Sequence, residues 1–323
     1  MPSWQSRIGS LLIRTLVKRR PKEEEGEVVR QLRSWLDDSR FVRKSLPVGL
    51  TARPSNVMGI RGEWLDWTDQ TVSRTLVYFH GGGYIACSPL THRPITVALT
   101  RLLRTRTFVP EYRLAPEHRF PAAIEDALRA YRGLLARQVD PREIVFAGDS
   151  AGGGLLLGTL VALRDAGEPL PAAAACFSPW TDLAATGSSL DYNDRRDTMF
   201  YGESIRRAAP VYLGNASPRD PLASPLYADL MGLPPIVVHV SRSEVLLDDS
   251  IRLASRAREC GVEVELEVWN GLPHAWQMLV GWVPEAEQSL QRVAAFLDTH
   301  LPFLSTLSTL GTLAVSRHFR IFG

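Results

Sequence analysis

The sequence predicts an α/β protein, a mostly parallel sheet flanked by helices, with further helices lying over one end of it. Three observations lead there. Short apolar runs such as Thr75–Phe79, Ile144–Ala147 and Pro235–Val240 alternate with amphipathic helical segments, the pattern of buried strands joined by right-handed crossovers. Those runs stop at turns rich in glycine and serine, above all Gly148-Asp149-Ser150-Ala151-Gly152. Two helical segments precede the first strand, and residues 183–225 hold no comparable strand and are broken by prolines.

In chain order, residues 1–45 read as an N-terminal helical cap segment. Ile8, Leu11, Leu12 and Thr15 share one face, and Val28, Leu32, Trp35 and Leu36 another. The first helix is expected to pack on the domain, although Lys18, Arg19 and Arg20 behind it would also suit a membrane interface. Ile8–Val17 is interrupted by Arg14 and lacks a small-residue cleavage site, so no signal peptide is expected, and no run reaches the length of a membrane span. Pro47 and Pro54 close this segment, and residues 46–302 are expected to form the main α/β domain.

Val57 to Thr71 alternates as antiparallel strands at a sheet edge do. Thr75–Phe79 is a buried strand ending at His80-Gly81-Gly82-Gly83-Tyr84. A helix over Arg93–Arg104 leads to Thr107–Pro110 and then to a proline-rich stretch that excludes a long helix. The helix Ala122–Gln138 feeds the strand that carries Ser150, and another helix follows to about Ala166. Ala172–Phe177 is the next strand, and 183–225 reads as inserted cap helices. After the strand 235–240 come a helix to Cys260, an edge-like strand Val262–Trp269 and a closing helix over Pro284–Leu301. Residues 303–323 are a tail to which the sequence assigns no role.

Composition bounds the function. With 45% hydrophobic and 22% charged residues, the chain is that of a folded globular protein. The net charge of +2 is spread rather than clustered, so nucleic acid is not an expected partner. Cys87, Cys176 and Cys260 follow no metal-ligand spacing and read as reduced residues of a cytoplasmic protein; no metal is expected.

The chemistry is concentrated at strand ends. A serine hydroxyl is a poor nucleophile unless it stands clear of the fold, beside a base and near a helix N-terminus, which the G-x-S-x-G turn around Ser150 supplies. Over five residues alone an incidental serine in a glycine-rich turn would look the same. The amide of Ala151 points where an oxyanion would form, and Gly82 and Gly83 allow backbone N–H groups to converge on the same place. His80 is expected to orient that loop rather than act as a base. His274, presented by a Gly-Leu-Pro turn after a strand, is the candidate base. Three carboxylates compete to orient it. Glu244 lies in the loop after its strand, whereas Asp248 and Asp249 fall in the first helical turn, where acids stabilise the macrodipole anyway; position favours Glu244, with Asp248 next.

His80-Gly81-Gly82-Gly83-Tyr84, Tyr112-Arg113-Leu114-Ala115-Pro116-Glu117-His118, Gly148-Asp149-Ser150-Ala151-Gly152-Gly153, Glu244-Val245-Leu246-Leu247-Asp248-Asp249 and Pro273-His274 together resemble the hormone-sensitive-lipase family of α/β-hydrolases, its bacterial carboxylesterases in particular. The resemblance covers roughly residues 45–300. It implies the α/β-hydrolase fold with a mostly parallel eight-stranded sheet, a helical cap, no cofactor, and hydrolysis of short acyl esters through an acyl-enzyme. It also implies a homodimer through the edge strand as a common assembly, and supporting roles for Asp149 and for Glu125 or Asp126. Many members carry aspartate where Glu244 stands. An amidase or deacetylase of the same mechanism, and a non-catalytic receptor on the same scaffold, are the competing readings; the receptor type lacks the working histidine.

Overall fold

The computed structural model describes residues 2–20, 22–37 and 46–302. The reading of 303–323 as a tail, and the helical reading of 38–45, lie outside these residues.

Eight strands form one sheet: β1 (Leu50–Val57), β2 (Ile60–Trp67), β3 (Thr75–Phe79), β4 (Arg106–Pro110), β5 (Ile144–Asp149), β6 (Ala173–Phe177), β7 (Ile236–Ser241) and β8 (Val264–Trp269). Their order is β1-β2-β4-β3-β5-β6-β7-β8. β1 and β2 form an antiparallel hairpin, β2 pairs antiparallel with β4, and the five remaining pairings are parallel. β3, β5, β6 and β7 are buried along their whole length, which explains their unbroken apolar text: helices cover both faces.

The helices are α1 (Trp4–Leu16), α2 (Glu25–Leu36), α3 (Arg93–Leu103), α4 (Ala122–Leu135), α5 (Ala151–Asp165), α6 (Ser189–Tyr192), α7 (Gly202–Leu213), α8 (Leu247–Glu259) and α9 (Pro284–His300). Alternation along each strand sends its side chains to two cores. Val77, Phe79 and Phe146 meet α4 and α5, while Leu76, Tyr78 and Val145 meet α3 and α9. Because β3 lies between β4 and β5, the chain leaves β3 to one side and returns to the other. The crevice opened by that reversal lies at the carboxyl ends of β3 and β5, where ligands bind in open α/β sheets.

Two expectations change. The first strand starts at Leu50, well before the expected Val57, and includes Pro54. As the sheet's outer strand, β1 has one side without a partner, so a missing N–H there removes no ladder bond. The second concerns α1, whose apolar face does not pack on the domain. Its buried residues are Ser6 and Gly9, whereas Ile8, Leu11, Leu12 and Thr15 are exposed. The small inner side lets polar contacts decide the docking. Glu285, at the start of α9, accepts hydrogen bonds from the Ser3 hydroxyl at 2.8 Å and the Ser6 hydroxyl at 2.6 Å, and the Trp282 ring fills the space beside Gly9.

Candidate active site

Ser150 is the single residue between β5 and α5. Its backbone sits at φ 51° and ψ −122°, a left-handed conformation that a non-glycine residue adopts only when its surroundings enforce it. The amide of Ser150 donates to Phe177 O at 2.8 Å on β6, and its carbonyl accepts from the amides of Gly153 and Trp180. Close passage of strand and helix requires glycine at both flanks: a Cβ on Gly148 would lie 2.6 Å from Gly152 O, and one on Gly152 would collide with the carbonyl oxygen of Phe79. Ala151 opens α5, so its N–H belongs to the first turn, whose donors have no partner within the helix.

The glycine loop after β3 is tied to this turn by Asp149. Its carboxylate accepts from the Gly81 amide at 3.0 Å and the Tyr78 hydroxyl at 2.8 Å, with the His92 ring 3.3 Å away. Burial pushes the Asp149 carboxyl up, but His92 and the Tyr78 bond outweigh it and hold the group below the ordinary carboxylate range. Gly82 and Gly83 have φ of 105° and 66°, which glycine adopts without strain. His80 stacks on Tyr112 with ring centroids 4.3 Å apart, lies 2.8 Å through Nδ1 from Gly81 O, and is driven by burial down to about 3. It is a neutral brace of the loop. Tyr112 donates to His80 O at 2.7 Å, and next to it the Arg113 guanidinium is held by Asp126 and Glu125 at 2.8 and 2.9 Å.

His274, in the loop after β8, meets Glu244, in the loop after β7. His274 Nδ1 lies 2.6 Å from Glu244 Oε2, and both side chains are almost completely buried. The other carboxylate oxygen accepts from the Ser178 hydroxyl at 2.8 Å and the Ser241 amide at 2.7 Å. Neither alternative acid is bonded to this ring. Asp248 accepts from the Ser189 amide and the Tyr192 hydroxyl, and Asp249 from the amides of Thr181 and Asp182. Burial opposes charge on His274, yet Glu244 first, then Asp197 and Asp149, outweigh it and raise the imidazole above 6.5. The Nε2 atom is buried and has no hydrogen-bond partner.

Asp197 and Ser178 escaped the sequence reading. Asp197 accepts from the amides of Met199 and Phe200 and, through its second oxygen, from Val245 beside Glu244; Lys18 donates to its carbonyl at 2.7 Å. Nothing in the local sequence singles it out. Ser178 had a signal, its place at the carboxyl end of β6.

Ser150, His274, Gly82 and Gly83 line one cavity of about 380 Å³, together with Trp35 of α2 and Ile205 of α7. Among the described residues no cluster of His, Cys, Asp or Glu has the makeup to hold a metal ion.

Residues 76–278 match the family model described as alpha/beta hydrolase fold. An acetyl-hydrolase of Streptomyces hygroscopicus is 44% identical over 73% of this chain and 79% of its own length. The carboxylesterase/phospholipase LipF of Mycobacterium tuberculosis is 36% identical over 82% of this chain and 71% of its own. The crystal structure of an esterase from the bacterial hormone-sensitive lipase family superposes with a TM-score of 0.84 at 39% identity, covering 94% of this chain and 100% of that one. The chain belongs to the hormone-sensitive-lipase family of α/β-hydrolases. Like these bacterial relatives of hormone-sensitive lipase, it is a carboxylesterase, and its eight-stranded sheet is the α/β-hydrolase sheet.

Proposed function

We propose that this carboxylesterase is a serine hydrolase of short- to medium-chain esters that works through an acyl-enzyme. The observation that carries the proposal is the 2.6 Å contact between His274 Nδ1 and Glu244, which leaves Nε2 without a partner beside the cavity that Ser150 shares. With its Nδ1–H bonded to the carboxylate, the neutral ring carries its lone pair on Nε2, the atom that must take the serine proton.

Ser150 Oγ attacks the ester carbonyl carbon as its proton passes to His274 Nε2. The carbonyl oxygen becomes an oxyanion held by the amides of Gly82, Gly83 and Ala151. Collapse expels the alcohol, which receives the proton from His274. Water then repeats the sequence on the acyl-enzyme, with His274 as base, and releases the carboxylic acid. Each oxyanion donor is worth about two to three orders of magnitude in rate, so the glycine loop matters nearly as much as the base. No cofactor takes part in these steps.

The apolar, half-enclosed cavity supports small acyl groups, since about 380 Å³ is near the lower end for ligand pockets. In the same proposal α2 and the 183–225 segment, with α1, are the lid that shapes this cavity and excludes water. A homodimer through an edge strand of the sheet and a cytoplasmic location, the latter supported by the free thiols of Cys87, Cys176 and Cys260, complete it. The test is Ser150→Ala. It should abolish turnover of a butyrate ester while circular dichroism and melting stay unchanged, and a matched butyramide should be a far poorer substrate for the native enzyme. Retained ester turnover in the variant would rule the mechanism out.

A further inference from the structure

The outer face of α1 is the most concentrated patch of exposed apolar surface among the described residues. Trp4, Ile8, Leu11, Leu12 and Leu16 are between 43% and 65% exposed, and they account for five of the twelve large hydrophobic side chains that stand out from the fold. Scattered single residues of this kind are ordinary, but five on one helix face are not. The opposite side of the same helix is docked: Ser6 and Gly9 are buried, and Ile13 lines the candidate active-site cavity together with Leu279.

Basic residues lead the charge around it, and the acidic run Glu23-Glu24-Glu25 begins only where α2 does. Residues 1–22 contain six basic residues and no acidic one, and Arg7, Arg14, Arg19, Arg20 and Lys22 are exposed. At 13 residues α1 is too short to span a bilayer, and no described helix is long and apolar enough to do so. A short helix with an apolar stripe and basic neighbours has the makeup of one that lies flat in the headgroup region of an anionic membrane.

We propose that α1 docks the protein peripherally on an anionic lipid surface, with its apolar stripe in the interface and its arginines at the headgroups. Charge chooses this occupant over two others. A second copy of the chain seated on the same face would set two basic arrays against each other, and the tail 303–323 is itself basic, with Arg317 and Arg320 and no acid. Because Ile13 lies on the inner side of the docked helix, one wall of the cavity is held next to the lipid.

The experiment is flotation of the full-length protein with vesicles of phosphatidylglycerol and phosphatidylcholine, and with phosphatidylcholine alone. The native protein should float with the anionic vesicles, several-fold less with the neutral ones, and less again in high salt. Leu11→Asp and, separately, Arg19→Glu should lower partitioning at least about ten-fold, roughly 1.4 kcal/mol, while the melting temperature stays unchanged, as both side chains are exposed. Flotation reads binding and not turnover, so its outcome is independent of the catalytic proposal. Failure of the native protein to float, or flotation unaffected by both variants, would overturn the inference. So would a change of oligomeric state on Leu11→Asp without lipid, which would mark a copy-to-copy interface. Flotation only of a chain ending at residue 302 would mark the tail as the occupant and overturn it too.

Discussion

Glu244→Gln is the substitution whose consequence the geometry fixes most tightly. Glu244 Oε1 sits between two donors, the Ser178 hydroxyl at 2.8 Å and the Ser241 amide at 2.7 Å. Both positions call for an oxygen, so a glutamine must place its carbonyl there and its NH2 where Oε2 now meets His274 Nδ1. An NH2 facing Nδ1 obliges that nitrogen to accept, which moves the ring proton to Nε2. In that tautomer Nε2 cannot take the proton of Ser150, and the carboxylate that offsets the imidazolium is gone. The analogous change in serine proteases costs about four orders of magnitude in kcat, or about 5 kcal/mol of barrier. We expect a loss of about 10⁴ in kcat on a chromogenic butyrate ester, with KM and the melting temperature nearly unchanged. Asp248→Asn, at a carboxylate that binds Ser189 and Tyr192 instead, should stay within about three-fold of native. Loss of less than ten-fold in Glu244→Gln, or an equal loss in Asp248→Asn, would refute the assignment.

Two further outcomes follow from the same contacts. In the proposed mechanism His274 must be neutral to act as base, and its raised pKa means that kcat/KM should fall as pH drops through a midpoint above 6.5; Asp197→Asn, which removes one of the charges that raise it, should move that acid limb down the pH scale. Gly152→Ala drives a Cβ into the backbone carbonyls of Phe79 and His80, so it should cost about 3 kcal/mol or more, read as a lower melting temperature or an insoluble product.

Much of the fold was legible because its signals are local. Gly148, Ser150 and Gly152 are read directly from a five-residue turn, and the buried strands β3, β5, β6 and β7 from continuous apolar runs. The contact between Glu244 and His274 was half legible: the place of Glu244 in a loop favoured it over Asp248, but the contact spans 30 residues. Pro54 misled because proline ends helices and central strands alike, and only the sheet's order shows that it sits in an outer strand. The face of α1 misled for another reason. Periodicity finds the apolar stripe but cannot say what covers it, and here Ser6 and Gly9 dock through Glu285 and Trp282, which follow more than 270 residues later in the chain. Asp197 was invisible, since its three amide partners come from its own loop and from Val245, and no spacing announces them.

The most direct test of the proposed chemistry is reaction with an organophosphate ester followed by peptide mapping. Stoichiometric inactivation with the adduct on Ser150, and no adduct in His274→Ala on the same timescale, is the expected result. An active enzyme that resists the reagent, or one that loses activity with the label on any other residue, would contradict it.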